Sequence, residues 1–482
     1  NQGQFDAQTY TSLNPEGHNL SLSVGFADPD KDGDLDIVLG GWSFGDLRHF
    51  NPVMSQNYFA ENITLPGAGL PEFKLEPLPG VQGETLSVLL SDLNNDGVSD
   101  LVIANDLDSP DVVYTWRQGR YQLTQDSSLP RVSSLNTMSL DSGDLNGDQK
   151  LDYFSVDMTF DDFEGVDYCL LNGIVSVDQC RRLQSSEQAV HDGDVSWCAQ
   201  YKNSVARNDC LSAQIIQLSK QSRHGDYCEK IPVEEKVNRR LCEAASMDLP
   251  PKAQISLKDY PISEQQNVLL LSKEQGFSSA ATQWNALDSY WSWNAKIADL
   301  DNDGWQDIYI GNGFLFGGLG RHLHSNVFLH NQQGSGFKRA EKTFGLEDYL
   351  NTPSFVYLDF DQDGDVDIIA HHVAANSGVF RNQSENNSIR FSLLEKRAGA
   401  SKSVKTSVGA KITLLYRNNK KLKKQMKELK LSGGFLSFDP VSASFGLATE
   451  SEVERVSVQW PDGDVIELNG LFRAGFHYQI TR

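Results

Sequence analysis

Aspartate residues recur at the same spacing in five short segments of the chain. The segments begin at Asp28, Asp92, Asp144, Asp299 and Asp359, and each has Asp at its first, fifth and ninth positions and Asp or Asn at its third. Side chains at alternate positions of a tight loop can converge on one hard cation, and calcium takes roughly six to eight oxygen ligands in such loops. The spacing therefore predicts about five calcium sites.

The individual ligands follow from the loop positions. Position seven varies in type, as expected where only its main-chain carbonyl binds. Four loops have Gly at position six, where the chain must turn sharply, but the third has Gln149 there, which predicts a distorted or weaker loop. In chain order the expected ligands are Asp28, Asp30, Asp32, Asp34, Asp36, Asp92, Asn94, Asp96, Val98, Asp100, Asp144, Asn146, Asp148, Lys150, Asp152, Asp299, Asp301, Asp303, Trp305, Asp307, Asp359, Asp361, Asp363, Asp365 and Asp367.

These loops are not EF-hands. Position twelve of an EF-hand is a bidentate Glu, whereas here it is occupied by Leu39, Ile103, Ser155, Ile310 and Ala370. The residues after each loop form short β-branched runs such as "DIVLG" and "DLVIA", which are typical of strands rather than of an exiting helix. Each segment therefore predicts a strand, a calcium loop and a second strand.

The spacing of the loops indicates the fold class. The repeats at 28–40, 92–104, 144–156, 299–311 and 359–371 start 64, 52, 155 and 60 residues apart. A period of this length with four short strands is typical of a propeller blade. We expect an all-β protein built on a β-propeller, with five recognisable blades and up to seven if two lack the loop. The segment "QFDAQTY" near residue 5 resembles a fourth strand that would complete a blade.

The long gap after the third loop contains every cysteine of the chain. An even number of cysteines in one confined segment is typical of disulfides formed in an oxidising compartment. We expect a partly helical, disulfide-rich insertion at 160–262, with three disulfides among Cys169, Cys180, Cys198, Cys210, Cys228 and Cys242. Fifteen pairings are possible, so the connectivity stays open.

The repeats resemble the FG-GAP/VCBS type of calcium-loop β-propeller, and the last part of the chain resembles the ASPIC/UnbV domain. The second resemblance depends on "VGAKITLLY" (408–416), "GGFLSFD" (433–439), "SFGL" (444–447) and "VERVSVQWPDGDVIEL" (453–468). Together they resemble the cartilage acidic protein family, which implies a secreted or surface protein with a binding or adhesion role. The expected organisation is a propeller at 1–385 and an ASPIC/UnbV-like β domain at 386–482.

The connections that follow the second strand of each blade are expected on the rim opposite the calcium loops. They carry a second group of reactive side chains. Imidazoles near the propeller axis could bind a transition metal or act in acid–base chemistry. Hydrogen-bonding His in polar loops is the alternative, and the sequence does not show that the residues meet. The candidates are Arg48, His49, Arg321, His322, His324, His371 and His372.

The net charge of the chain limits the classes of partner that it could bind. The net charge is −23, which argues against general nucleic-acid binding, and no apolar run approaches the length of a membrane span. One segment, 417–430, instead holds seven Lys and Arg against one Glu. It predicts a hairpin with an exposed basic face that could attract an anionic polymer.

These features favour a binding protein. The chain lacks the HExxH, GxSxG and P-loop motifs, and calcium would occupy its most obvious carboxylates. We expect a secreted, cell-surface or periplasmic calcium-binding propeller, exported by a signal already removed. Its expected role is binding, adhesion or surface assembly with an extracellular protein or glycan partner. The alternative is an extracellular enzyme with a His/Arg or transition-metal site opposite the calcium loops, acting for instance on polysaccharide.

Overall fold

The computed structural model of the chain forms two compact units. It describes residues 21–42, 55–65, 70–106, 109–158, 198, 207, 211–212, 214–216, 218–219, 225–246, 257–313, 324–373, 375–396, 404–418 and 420–482. The first unit comprises residues 1–42, 56–159 and 256–482, and the second comprises residues 43–55 and 160–255. None of the described helices has the length and apolar character needed to cross a bilayer.

Five antiparallel meanders of the first unit are the blades of the propeller. In each one a predicted calcium loop joins the first strand to the second. Their strands, in order, are β1 (Ser21–Ala27), β2 (Asp36–Gly41), β3 (Tyr58–Asn62) and β4 (Phe73–Pro77); β5 (Glu84–Ser91), β6 (Asp100–Asp106), β7 (Val112–Arg117) and β8 (Arg120–Leu123); β10 (Thr137–Gly143), β11 (Asp152–Asp157), β13 (Val268–Ser272) and β14 (Phe277–Ser279); β15 (Ser292–Ala298), β16 (Asp307–Asn312), β17 (Val327–Asn331) and β18 (Phe337–Arg339); and β19 (Ser354–Leu358), β20 (Asp367–His371) and β21 (Gly378–Phe380).

The all-β propeller prediction is confirmed. The first two strands of the second, third and fourth blades are almost fully buried, because their apolar side chains pack against the neighbouring blades. The fifth blade has three described strands, and the expected fourth strand near residue 5 lies outside the described residues. Two further blades, which a seven-bladed propeller would require, do not occur among the described residues.

The cysteine-rich insertion leaves the propeller after β11. The chain returns through a 3-10 helix, Leu257–Asp259, and then β12 (Ile262–Glu264), which pairs in parallel with β9 (Val132–Ser134). In the second unit a 3-10 helix, Gly225–Lys230, precedes α1, Lys236–Ser246. A disulfide joins Cys228 to Cys242, and both are buried with Ile215 and Ile231.

The other cysteines are described only in part. Cys198 is also disulfide-bonded. Cys169, Cys180 and Cys210 lie outside the described residues, so the three-disulfide prediction is confirmed only for the Cys228–Cys242 pair. The helical character expected for the insertion is present in α1.

The last part of the chain forms two sheets around their own core. One sheet contains β22 (Asn387–Lys396), β23 (Val404–Thr406), β26 (Ala443–Ala448) and β29 (His477–Thr481), and the other contains β24 (Lys411–Asn418), β25 (Lys421–Glu428), β27 (Glu452–Gln459) and β28 (Val465–Arg473). Their facing side chains, including Phe391, Phe445 and Trp460, are almost fully buried. The "WPDG" signature is the turn between β27 and β28, where the Gly463 N–H donates to the Trp460 carbonyl.

A segment of this domain crosses the first strands of all five blades. We call residues 431–439 the axial segment, because the first strand of a blade is the one nearest the propeller axis. Main-chain groups donate most of the bonds that tie it to β1, β5, β10, β15 and β19, at 2.7 to 3.0 Å. The bonded pairs are Phe26 with Leu431, Val88 with Gly433, Leu140 with Gly434, Asn294 with Phe435, and Tyr357 with Asp439. The "GGFLSFD" run (433–439) therefore lies along the first strands of the blades.

Candidate metal centre

The five loops share one hydrogen-bond pattern. In every loop the carboxylate at position one accepts a hydrogen bond from the main-chain N–H at position six, at 2.9 to 3.2 Å. The carboxylate at position five accepts one from the N–H at position seven, at 2.8 to 3.1 Å. These bonds fold each loop back on itself, so that the side chains at odd positions face a common centre.

The third loop keeps this conformation despite Gln149. Positions four and six have a positive φ in all five loops, including 66° at Gln149. The main-chain N–H of Gln149 still donates to Asp144 Oδ2 at 2.9 Å. The expectation of a distorted loop is therefore wrong, because Gly147 at position four and the position-one carboxylate hold the turn. The cost is a non-glycine residue in the left-handed region.

The substitution Gln149→Gly should stabilise the protein. Gln149 is exposed, so removing its side chain relieves the backbone strain without leaving a cavity. We expect the free energy of unfolding to rise by about 1 kcal/mol, the cost of a left-handed non-glycine residue. Urea unfolding measures this, with Gln149→Ala as the control, since alanine retains the β-carbon. A gain of equal size in Gln149→Ala would contradict the explanation.

The aspartate at position nine is the first residue of the second strand, and it accepts hydrogen bonds from the loop, from the sheet or from both. In the third, fourth and fifth loops its Oδ2 accepts from the main-chain N–H at position two, at 2.9 to 3.1 Å. Its Oδ1 accepts from the third strand of the same blade in the first, third and fourth loops, and from Asn382 just after the third strand in the fifth, at 2.7 to 2.8 Å. The position-nine aspartate thus ties the loop to the middle of its sheet.

Some buried carboxylate oxygens of the loops have no donor. Asp299 Oδ1 and Asp36 Oδ2 are buried and make no hydrogen bond among the described residues. For Asp36 the reason is local, because position two of that loop is Pro29, which has no N–H. A buried carboxylate oxygen without a partner is costly, and a cation in the loop would satisfy both. The residues present therefore fit the predicted ion.

Ligand-type oxygens converge in three of the five loops. Within each of three trios, one oxygen per residue lies within 4.8 Å of the others. The trios are Asp28, Asp30 and Asp32; Asp299, Asp301 and Asp307; and Asp359, Asp361 and Asp367. Calcium coordinates carboxylate oxygens at about 2.3 to 2.6 Å, so oxygens this close together can share one ion.

Burial and mutual repulsion raise the pKa values of several buried loop carboxyls. Desolvation is the largest cause, and neighbouring carboxylates add to it. The pKa is raised to about 8 for Asp36 and Asp152, and to about 7 for Asp144 and Asp299. Without a cation, these groups therefore hold protons near neutral pH that a bound ion would displace.

His330, which was not among the candidates predicted from the sequence, lies beside the fourth loop. His330 Nε2 is 3.0 Å from Asp301 Oδ2, and this hydrogen bond raises the pKa of His330. The ring belongs to β17, and its position opposite the loop follows from the pairing of Ile308 with Leu329. A single His in a third strand carries no sequence signal of its own. Calcium prefers oxygen ligands, so His330 orients Asp301 rather than replacing it.

The last domain supplies partners to the position-one aspartates of three loops. Each partner bonds Oδ2, the oxygen that also accepts from the main-chain N–H at position six. The contacts are Lys411 Nζ with Asp92 at 2.7 Å, the Gly446 N–H with Asp299 at 3.1 Å, and Arg390 Nη2 with Asp359 at 3.0 Å. The calcium-loop rim of the propeller is therefore in contact with the last domain.

The histidines predicted on the other rim do not form one described group. His372 is buried, and its two ring nitrogens lie 2.7 Å from Asp348 Oδ2 and 2.6 Å from the Asn376 carbonyl. Both nitrogens thus face oxygen acceptors, and neither is left for a metal. His371 is exposed at the end of β20, and His324 stacks on Tyr290 with ring centroids 3.7 Å apart. Arg48, His49, Arg321 and His322 lie outside the described residues.

Comparison with known families agrees with this architecture. The model of the FG-GAP-like repeat matches residues 92–155, which contain the second and third loops and the last three strands of the second blade. The model of the ASPIC and UnbV domain matches residues 400–475, which contain the axial segment and most strands of the last two sheets. No curated protein matches the chain. The chain thus carries an FG-GAP-like repeat in its propeller and an ASPIC and UnbV domain after the propeller.

Proposed function

We propose that this protein is a calcium-stabilised binding protein of the extracellular type, in which each of the five loops holds one calcium ion. The observation that carries the proposal is the shared loop geometry, with position-one and position-nine carboxylates fixed by main-chain donors around a common centre. The buried, unpaired Asp299 Oδ1 supports it, because a cation is the partner that this oxygen lacks.

The donor set favours calcium over softer metals. Positions one, three, five and nine offer only carboxylate and carboxamide oxygens, which suit hard cations. Loops with several carboxylates and a main-chain carbonyl meet the high coordination number of calcium better than the strict octahedron of magnesium. Five ions would bring the formal charge from −23 to −13.

Calcium acts as a staple in this proposal. Each loop continues directly into a buried second strand and joins it to the first strand of the same blade. An ion bound there holds the two innermost strands together and has no exiting helix to move. The scaffold then presents its connecting loops and its last domain to a partner, as rigid frameworks with long loops often do. The Cys228–Cys242 disulfide favours action in an oxidising compartment.

Metal analysis of the purified chain tests the proposal. We expect about five calcium ions per chain, and the double variant Asp299→Asn, Asp307→Asn should retain one fewer, since it removes two charges from a single loop. Glu347→Gln, an exposed position outside the loops, should retain all of them. A wild-type chain that holds no calcium after dialysis against micromolar calcium would overturn the proposal.

A further inference from the structure

A groove between the calcium loops and the last domain has the composition of a carbohydrate site. It has a volume of about 760 Å³, within the range of roughly 300 to 1,000 Å³ that is typical of small-molecule sites. Residues of the third and fourth calcium loops line one side, and strand β25 with the end of β24 lines the other. We call it the hairpin groove.

Three lysines of β25 give the hairpin groove its charge. Lys421, Lys423 and Lys424 are exposed and line the groove, and none of them forms an ion pair with another residue in the described part of the chain. Arg417, on the same hairpin, is paired with Glu454 at 2.8 Å. Lys430, at the other end of the basic segment, pairs with Asp141 beside the axial segment. The exposed basic face that we predicted for 417–430 is therefore confined to the hairpin end, where residues 421–424 are all exposed.

The indole of Trp305 fixes one of these lysines. Lys423 Nζ lies 5.3 Å from the centroid of the Trp305 ring, a cation–π contact. The ring edge is itself held by two turns, since a β-carbon on Gly147 would lie 2.9 Å and one on Gly334 would lie 2.5 Å from Trp305 Cζ3. A lysine held in this way loses less conformational entropy on binding an anion than a free surface lysine does.

The other residues that line the groove favour a polysaccharide ligand over a peptide or a nucleic acid. Gln149 and Gln333 are exposed at the groove, and their carboxamides can donate to and accept from hydroxyl groups. A peptide would need more apolar pockets than the groove offers. Duplex nucleic acid would need a basic footprint far longer than three lysines on a chain of net charge −23.

We propose that the hairpin groove binds an acidic polysaccharide, one that carries sulfate or carboxylate groups, and that it does so only in the calcium-loaded protein. The calcium dependence rests on the proposed function. Asp144 and Asp303 line the groove, and the third and fourth loops carry three and four aspartates at their odd ligand positions. Without cations the ionised carboxylates of these loops repel an anionic ligand within the screening length of about 8 Å, whereas a calcium ion would bring two positive charges to each loop.

Binding of defined polysaccharides to the full chain tests the proposal. Heparin and polygalacturonate serve as the sulfated and carboxylated probes, dextran as the neutral probe and poly(dT) as the nucleic-acid probe. We expect heparin or polygalacturonate to bind in calcium, dextran not to bind, and chelation to weaken binding at least tenfold. Poly(dT) bound as tightly as the acidic polysaccharides would overturn the assignment, because it would indicate a general polyanion surface.

Matched variants locate the site. Lys421→Gln with Lys424→Gln should weaken binding about tenfold or more, whereas Lys338→Gln with Lys342→Gln removes the same charge from an exposed segment of the fourth blade and should leave it within twofold. Trp305→Leu should weaken binding severalfold, since Lys423 loses its cation–π partner. Equal binding by both lysine pairs would overturn the site. A protein that binds five calcium ions but neither acidic probe would overturn this proposal alone and leave the calcium role standing.

Discussion

Removing calcium at pH 8 should unfold or nearly unfold the propeller. An ion that binds only the folded state contributes about 2.7 kcal/mol when its concentration is one hundred times Kd. Five such sites contribute on the order of 10 kcal/mol, which is comparable to the whole free energy of unfolding of a typical domain. Thermal unfolding with and without chelator measures the effect, with magnesium as the control ion. An unchanged Tm in chelator would contradict it.

The effect of chelation should be smaller at pH 6 than at pH 8. In the ion-free protein the pKa values of Asp36, Asp144, Asp152 and Asp299 are raised to between about 7 and 8, well above those of an unfolded chain. The folded state therefore binds more protons, so its stability is present at low pH and is lost as pH rises through this window. The Tm of the chelated protein should fall between pH 6 and 8, and the Tm with calcium should not. Parallel curves would show that these carboxyls do not titrate in the folded state.

The substitution Gly446→Ala should destabilise the protein and impair the fourth calcium site. A β-carbon at Gly446 would lie 2.2 Å from Asp299 Oδ2 and 2.4 Å from main-chain atoms of Asn302. Because one of these neighbours is backbone, either β26 or the fourth loop must shift, and overpacking of this kind costs about 3 kcal/mol or more. The shift also breaks the bond from the Gly446 N–H to Asp299. Urea unfolding and calcium stoichiometry measure the two effects.

A second glycine of the same domain provides the control. Gly470 lies in β28, and a β-carbon there would meet no atom within 4 Å. Gly470→Ala should leave stability within about 0.5 kcal/mol, the usual range for surface positions, with the calcium content unchanged. If both variants behave alike, the contact between the "SFGL" glycine and the fourth loop does not govern stability.

The features of this architecture that could be predicted from the sequence involve residues that are close together in the chain. Five loops and the strands after them can be read from aspartate spacing, because all ligands of a loop lie within nine residues. The cation pairing of Lys411 with Asp92 joins residues 319 positions apart, and no local pattern indicates it. The role of His372 was also not predictable from local sequence. Its partner Asp348 lies in a different connection, 24 residues away in the chain. The spacing also predicted distortion at Gln149, where the surrounding turn instead determines the backbone.

The axial segment sets the order in which the molecule can be completed. Leu431 bonds Phe26, and Gly434 accepts from Ser87 across 347 residues of chain. During synthesis the first two blades therefore emerge long before the segment that crosses their inner strands. Because contacts between distant parts of a chain form slowly, we expect blades awaiting residues 431–439 to be the slow, aggregation-sensitive stage of folding. The last domain is in this respect a closing element that finishes the propeller only once the chain has been made past residue 439.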